Sequence, residues 1–174
     1  MKKVEDYIRT IPDFPEPGIM FRDVTSILQS AEGLKLAIDE MIRLLDGVEF
    51  DVIAGAESRG FIFGVPIAYA MGKPFVPVRK AGKLPCETVS KSYDLEYGQA
   101  TIEIHKDAIT DKDVVLLHDD LLATGGSMKA AYNLVQKFCP RKTYINFIIE
   151  LTGEGLNGRA VFDDSVEMTT LIKI

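Results

Sequence analysis

Apolar positions recur along this chain with two periods, and the two alternate. Leu34, Ile38, Met41 and Leu45 fall on one helical face and predict a helix over residues 32–45, with Gly47 just beyond it as a stop. Asp51-Val52-Ile53-Ala54 then reads as a short buried strand, residues 55–60 as a turn, and residues 61–71 as a second helix in spite of Gly64 and Pro66. A strand over 73–78 follows, and further strands are predicted over 100–104, 113–117, 143–151 and 166–173. Between them, residues 125–138 carry Ala130, Ala131, Leu134, Val135 and Phe138 on one helical face, closed by Pro140. Strands alternating with helices predict an α/β fold: a parallel sheet flanked by helices.

Two segments break the alternation. Val4, Tyr7 and Ile8 suggest a short amphipathic helix over 3–9, but Ile11 to Gly18 holds three prolines and a glycine in eight residues. That composition excludes a helix interior or a central strand and predicts a stiff surface segment. From Arg79 to Gly98 the periodicity is weak, and a loop of such length in a small domain is usually a lid.

Composition adds limits more than identity. The 174 residues suit one domain, 1–174, with a sizeable core. With 47% hydrophobic and 26% charged residues the chain is an ordinary globular one. A net charge of −6 argues against a nucleic-acid partner. No apolar run approaches a membrane span, and the first residues lack the apolar stretch of a signal peptide. The two cysteines, Cys86 and Cys139, form no metal-binding cluster, and a reducing cytoplasm is expected.

The chemistry gathers in Val114-Val115-Leu116-Leu117-His118-Asp119-Asp120-Leu121-Leu122-Ala123-Thr124-Gly125-Gly126-Ser127. A buried strand delivers two adjacent carboxylates toward its C-terminal end, where parallel sheets bind ligands. Gly125 and Gly126 allow backbone N–H groups close to an anion, Thr124 and Ser127 add hydroxyls, and a helix N-terminus follows. The loop reads as a monophosphate cradle, and the acids as holders of sugar hydroxyls: together, a phosphorylated ribose. A capped turn with two solvated acids would produce the same pattern. Neither a Walker A spacing nor a Gly-x-Gly-x-x-Gly turn after the first strand is present.

Leu116 to Ser127 resembles the binding motif for 5-phosphoribosyl-1-diphosphate (PRPP) of the type I phosphoribosyltransferases. Phe14 to Thr25, Glu57 to Gly64, Val78 to Pro85 and Tyr93 to Gly98 are similar, in order, to the adenine-using branch of that family. The resemblance implies an N-terminal hood (1–30) over the base, a flexible lid (80–99), and transfer of 5-phosphoribosyl from PRPP to adenine to give AMP and diphosphate. By its pattern PRPP is held by Arg59, Arg79, Lys80, Lys83, Asp119, Asp120, Ala123, Thr124, Gly125, Gly126 and Ser127. Adenine lies against Met20, Phe21, Arg22 and Leu151, and Glu96 is the general acid/base. It also implies Mg2+ carried mainly by PRPP and water, a homodimer in which Arg79 reaches across the interface, and a cis peptide at Glu57–Ser58. Another purine base, or a PRPP-sensing regulator without catalysis, stand as alternatives. His118 departs from the family's aliphatic residue, and is expected to be a hydrogen-bonded neighbour of the acids, not a ligand.

Overall fold

The continuous apolar runs become the central strands, because a strand covered on both faces can carry no polar side. A computed structural model describes residues 2–94, 98–153 and 155–174. Its main sheet contains β3 (Val52–Ala56), β4 (Phe75–Lys80), β5 (Thr88–Asp94), β6 (Gln99–His105), β7 (Val114–Leu122), β8 (Lys142–Glu150) and β9 (Met168–Lys173), in the order β5-β6-β4-β3-β7-β8-β9. The five strands from β4 to β9 run parallel, whereas β6 and β5 are antiparallel additions at one edge. Helices α1 (Ala31–Leu44) and α2 (Arg59–Met71) cover one face, through Met41, Phe63 and Ile67. Helix α3 (Gly126–Gln136) covers the other with Ala131, Leu134 and Val135. The helix-flanked parallel sheet is thus as the pattern predicts.

Four details differ. The amphipathic stretch at the N-terminus is only a 3-10 turn, Val4–Tyr7, and residues 9–12 enter a strand instead. That strand, β1 (Arg9–Pro12), pairs antiparallel with β2 (Met20–Asp23) in a separate two-stranded sheet, with the proline-rich segment as its connection. The expected lid contains β5, paired along its whole length with β6. Only Val89 and Tyr93 of β5 pack on the core, so a strand covered on one side at the sheet edge shows little hydrophobic signal. Finally, β7 runs on to Leu122, which puts Asp119 and Asp120 on the strand itself.

Candidate active site

The strand order reverses at β3. From β3 the chain passes through α2 to β4 on one side, and later through β7 and α3 to β8 on the other. The crevice between the C-terminal ends of β3 and β7 is therefore the switch point where parallel sheets bind ligands. Gly60, in the first turn of α2, allows that helix to dock on β7: a Cβ there would stand 2.8 Å from the His118 carbonyl oxygen. This close approach brings Arg59 to Asp120, with Nε 3.1 Å from Oδ2. Asp120 is buried at 1% exposure, and its backbone N–H donates to Asp119 Oδ1 at 2.9 Å.

The two acids lie where water solvates them poorly. Burial, then the negative charge of Asp120, holds the Asp119 carboxyl well above the usual carboxylate range. Burial raises Asp120 too, against the opposing charge of Arg59.

After Leu122 the chain turns through Ala123 and Thr124 to Gly125, whose φ of +84° suits only glycine. α3 starts at Gly126, and among the described residues no side chain caps it. Its first N–H groups are thus available to an anion, with Thr124 and Ser127 exposed alongside. A Cβ at Gly126 would meet nothing within 4 Å. Between this helix start and α2 lies a cavity of about 180 Å³, lined by Glu57, Arg59, Lys80, Tyr93, Asp119 and Ser127 among others.

The basic cluster is only partly in that cavity. Lys80 lines it, whereas Arg79 turns to Glu57, with Nε 3.3 Å and Nη2 3.4 Å from its carboxylate. Burial disfavours the Glu57 charge, yet the Lys80 N–H and the Arg79 guanidinium outweigh it and hold this carboxyl below its ordinary range. The Glu57–Ser58 peptide is cis. Lys83 is exposed on the following turn, where Glu103, buried at 6%, accepts from the N–H groups of Lys83 and Leu84.

A second, smaller depression of about 80 Å³ is lined by Met20, Arg22, Leu151, Gly153, Leu156 and Ile174. It adjoins the end of β7, since the Leu151 N–H donates to the Leu122 carbonyl at 2.9 Å. Phe21 is not in its lining and packs edge-on against Phe14, with centroids 5.2 Å apart. Glu96 lies outside the described residues. Its neighbours are placed: Asp94 pairs with Gln99, and Tyr93 faces the larger cavity.

Several contributors carry no sequence signal of their own. Leu156 and Ile174 come from a C-terminal stretch that resembles no motif, and Tyr93, though it opens a segment similar to the family, gives no sign of lining the cavity. His118 is a hydrogen-bonded residue as expected, but its partner is Asn146 and not either acid. Fully buried, its Nδ1 bonds Asn146 Oδ1 at 2.8 Å, and Asn146 Nδ2 donates to Thr169 Oγ1 at 2.8 Å. Burial pushes its pKa down to about 4. The unfolded chain protonates this ring near 6.5 but the folded chain only near 4. Stability should therefore fall as pH drops through that window, by about 3 kcal/mol from this group. In thermal melts between pH 7 and 4, His118→Leu should be less stable throughout, since Asn146 loses its partner. Its loss of Tm on acidification should nevertheless be smaller. An unchanged acid slope would show that the ring does not carry it.

The phosphoribosyl transferase domain family matches residues 23–150. An adenine phosphoribosyltransferase of Butyrivibrio fibrisolvens is 71% identical over 159 residues, covering 91% of this chain and 87% of that protein. A crystal structure of adenine phosphoribosyltransferase from Thermoanaerobacter pseudethanolicus superposes with a TM-score of 0.90 at 46% identity, over 98% of both chains. The Saccharomyces cerevisiae adenine phosphoribosyltransferase, complexed with an imino-altritol bisphosphate and adenine, superposes with a TM-score of 0.87 at 38% identity, over 97% of this chain and 96% of that one.

Proposed function

The chain belongs to the adenine phosphoribosyltransferases of the phosphoribosyl transferase family, and on that premise we propose that it transfers the 5-phosphoribosyl group of PRPP to adenine, giving AMP and diphosphate. One observation carries the reading. The Asp119–Asp120 pair with Arg59, the uncapped Gly125–Gly126 helix start and the apolar depression at Leu151 all meet around the end of β7.

In this reaction the bond from the anomeric carbon to diphosphate breaks, the bond to adenine N9 forms, and the adenine ring proton leaves. Positive charge grows on the ribose, so fixed dipoles and charges do most of the work. Backbone N–H groups of Gly126 and Ser127, with the Thr124 hydroxyl and Ala123 in the turn, anchor the 5-phosphate. Asp119 and Asp120 hold the ribose hydroxyls beneath the cationic ring. Arg59 and Lys80, at the larger cavity, meet the diphosphate, with Arg79 and Lys83 on its approach. Met20, Arg22 and Leu151 enclose the base, and Phe21 supports that wall through Phe14. Glu96 takes the proton that adenine gives up.

Magnesium, when bound, neutralises the leaving diphosphate. The proposal has the ion brought in with PRPP and held mainly by its oxygens and water. A homodimer is part of the proposal; Val65 and Tyr69, one turn apart and exposed on α2, offer an apolar face for it. So are a cytoplasmic setting and the lack of a nucleic-acid or membrane partner; the net charge of −6 speaks against a nucleic-acid partner.

Labelled adenine with PRPP should yield AMP, and chelation of magnesium should stop it. Excess hypoxanthine or guanine should leave the rate nearly unchanged. Nucleotide formed from another base in preference to adenine would move the specificity elsewhere, and none from any base would end the reading.

A further inference from the structure

The phosphate-binding turn has a back as well as a front, and a different part of the chain builds it. Between β8 and β9 the described residues include a 3-10 turn, Gly158–Val161. A Cβ at Gly125 would stand 2.4 Å from the Gly158 carbonyl oxygen and 2.9 Å from Val161 Cγ2. A Cβ at Gly158 would stand 2.5 Å from the Ala123 carbonyl oxygen. The two backbones touch with glycine on both sides, so any shift of one displaces the other.

What fixes this short turn is Arg159. Its Nε and Nη2 donate to Glu150 Oε1 and Oε2 at 2.6 and 2.8 Å, a planar bidentate pair at the end of β8. The same Nη2 donates to Thr170 Oγ1 at 3.0 Å, and Thr170 in turn donates to Glu150 Oε2 at 3.0 Å. Nη1 reaches the Met168 carbonyl at 3.3 Å. The side chain thus joins β8 and β9 through a closed ring of bonds, while its own backbone adjoins Gly158. None of the ring's members lines the cavity between α2 and α3.

We propose that Arg159 is a positioning residue for the 5-phosphate: clamped by Glu150 and Thr170, it holds Gly158 against Gly125 and so keeps the turn in its anion-binding form. This rests on Ala123–Ser127 being the 5-phosphate site. Without the clamp the turn at Gly125 relaxes, and the N–H groups of α3 are no longer held toward one point.

The test compares Arg159→Gln, which removes the charged fork at similar length, with wild type well below both melting temperatures. KM for PRPP should rise at least tenfold, with kcat and KM for adenine changed less than threefold. Calorimetry should show ribose 5-phosphate affinity falling in parallel and inorganic diphosphate affinity unchanged. A lower Tm with unchanged KM for PRPP would make Arg159 a stabilising residue only and overturn the proposal. So would equal losses for ribose 5-phosphate and diphosphate. If Arg159→Gln fails to fold, Arg159→Lys, which keeps the charge and loses the fork, should raise KM for PRPP at least threefold; no rise would overturn it equally. Failure of the underlying reading is separate. In that case Gly126→Val, whose side chain would occupy the anion position directly, would leave ribose 5-phosphate binding intact.

Discussion

Replacing Glu96 by Gln should lower the single-turnover rate of AMP formation by about 10²–10⁴-fold, the range of general acid–base assistance, and leave PRPP affinity nearly unchanged. Glu96 lies outside the described residues, but its flanks are placed. β5 ends at Asp94, paired with Gln99, and Tyr93 one residue earlier lines the space where Asp119 and Arg59 face. On the proposed reading a carboxylate there would accept the proton that the base gives up, and its amide replacement keeps shape and loses basicity. If the segment between β5 and β6 serves only to exclude water, the substitution should be nearly silent while shortening that segment remains damaging. A single-turnover change below about threefold would remove Glu96 from the proton transfer.

The second large effect separates two adjacent glycines. Gly126→Val should fold normally, since nothing lies within 4 Å of a Cβ there, and should lose PRPP binding by about 100-fold or more. A branched side chain would sit where the anion approaches, and displacing a charge-assisted contact is worth about 1.5–3 kcal/mol for each bond lost. Gly125→Val should instead fail at folding. Its φ is +84°, and its Cβ would press on Gly158. The sequence pattern suggests that both glycines are open so that a phosphate can come close. The structure separates the two: a Cβ at Gly126 meets open space, and one at Gly125 meets Gly158 and Val161. Melting temperatures and ribose 5-phosphate calorimetry on both variants decide, and a Gly125→Val protein as stable as wild type would refute the contact.

That division marks where sequence reading stops. β3, β7 and β8 are legible because burial on both faces leaves long apolar runs, and the acids and glycines after β7 are legible because their chemistry is local. β5 is not, since only Val89 and Tyr93 face the core. The pairing of Arg59 with Asp120 is not either, because it depends on how closely α2 docks, which Gly60 sets through contact with a strand far along the chain. The C-terminal stretch is the extreme case. Arg159 acts through Glu150 and Thr170, and Gly158 through Ala123 and Gly125. No local pattern marks such partners, which become neighbours only once the sheet is complete.

The contact between Gly125 and Gly158 also orders events in time. A ribosome releases β7 and the start of α3 well before the segment after Thr152, and until β9 pairs with β8 nothing stands behind the phosphate turn. Pairings this distant in sequence are slow to close, because the loop entropy is lost before the contacts return it. A growing chain would therefore hold most of its sheet and both acids yet have no settled seat for its substrate. On the proposed reading, the support behind the turn would be the last part of the site to form, with the docking of the final strand.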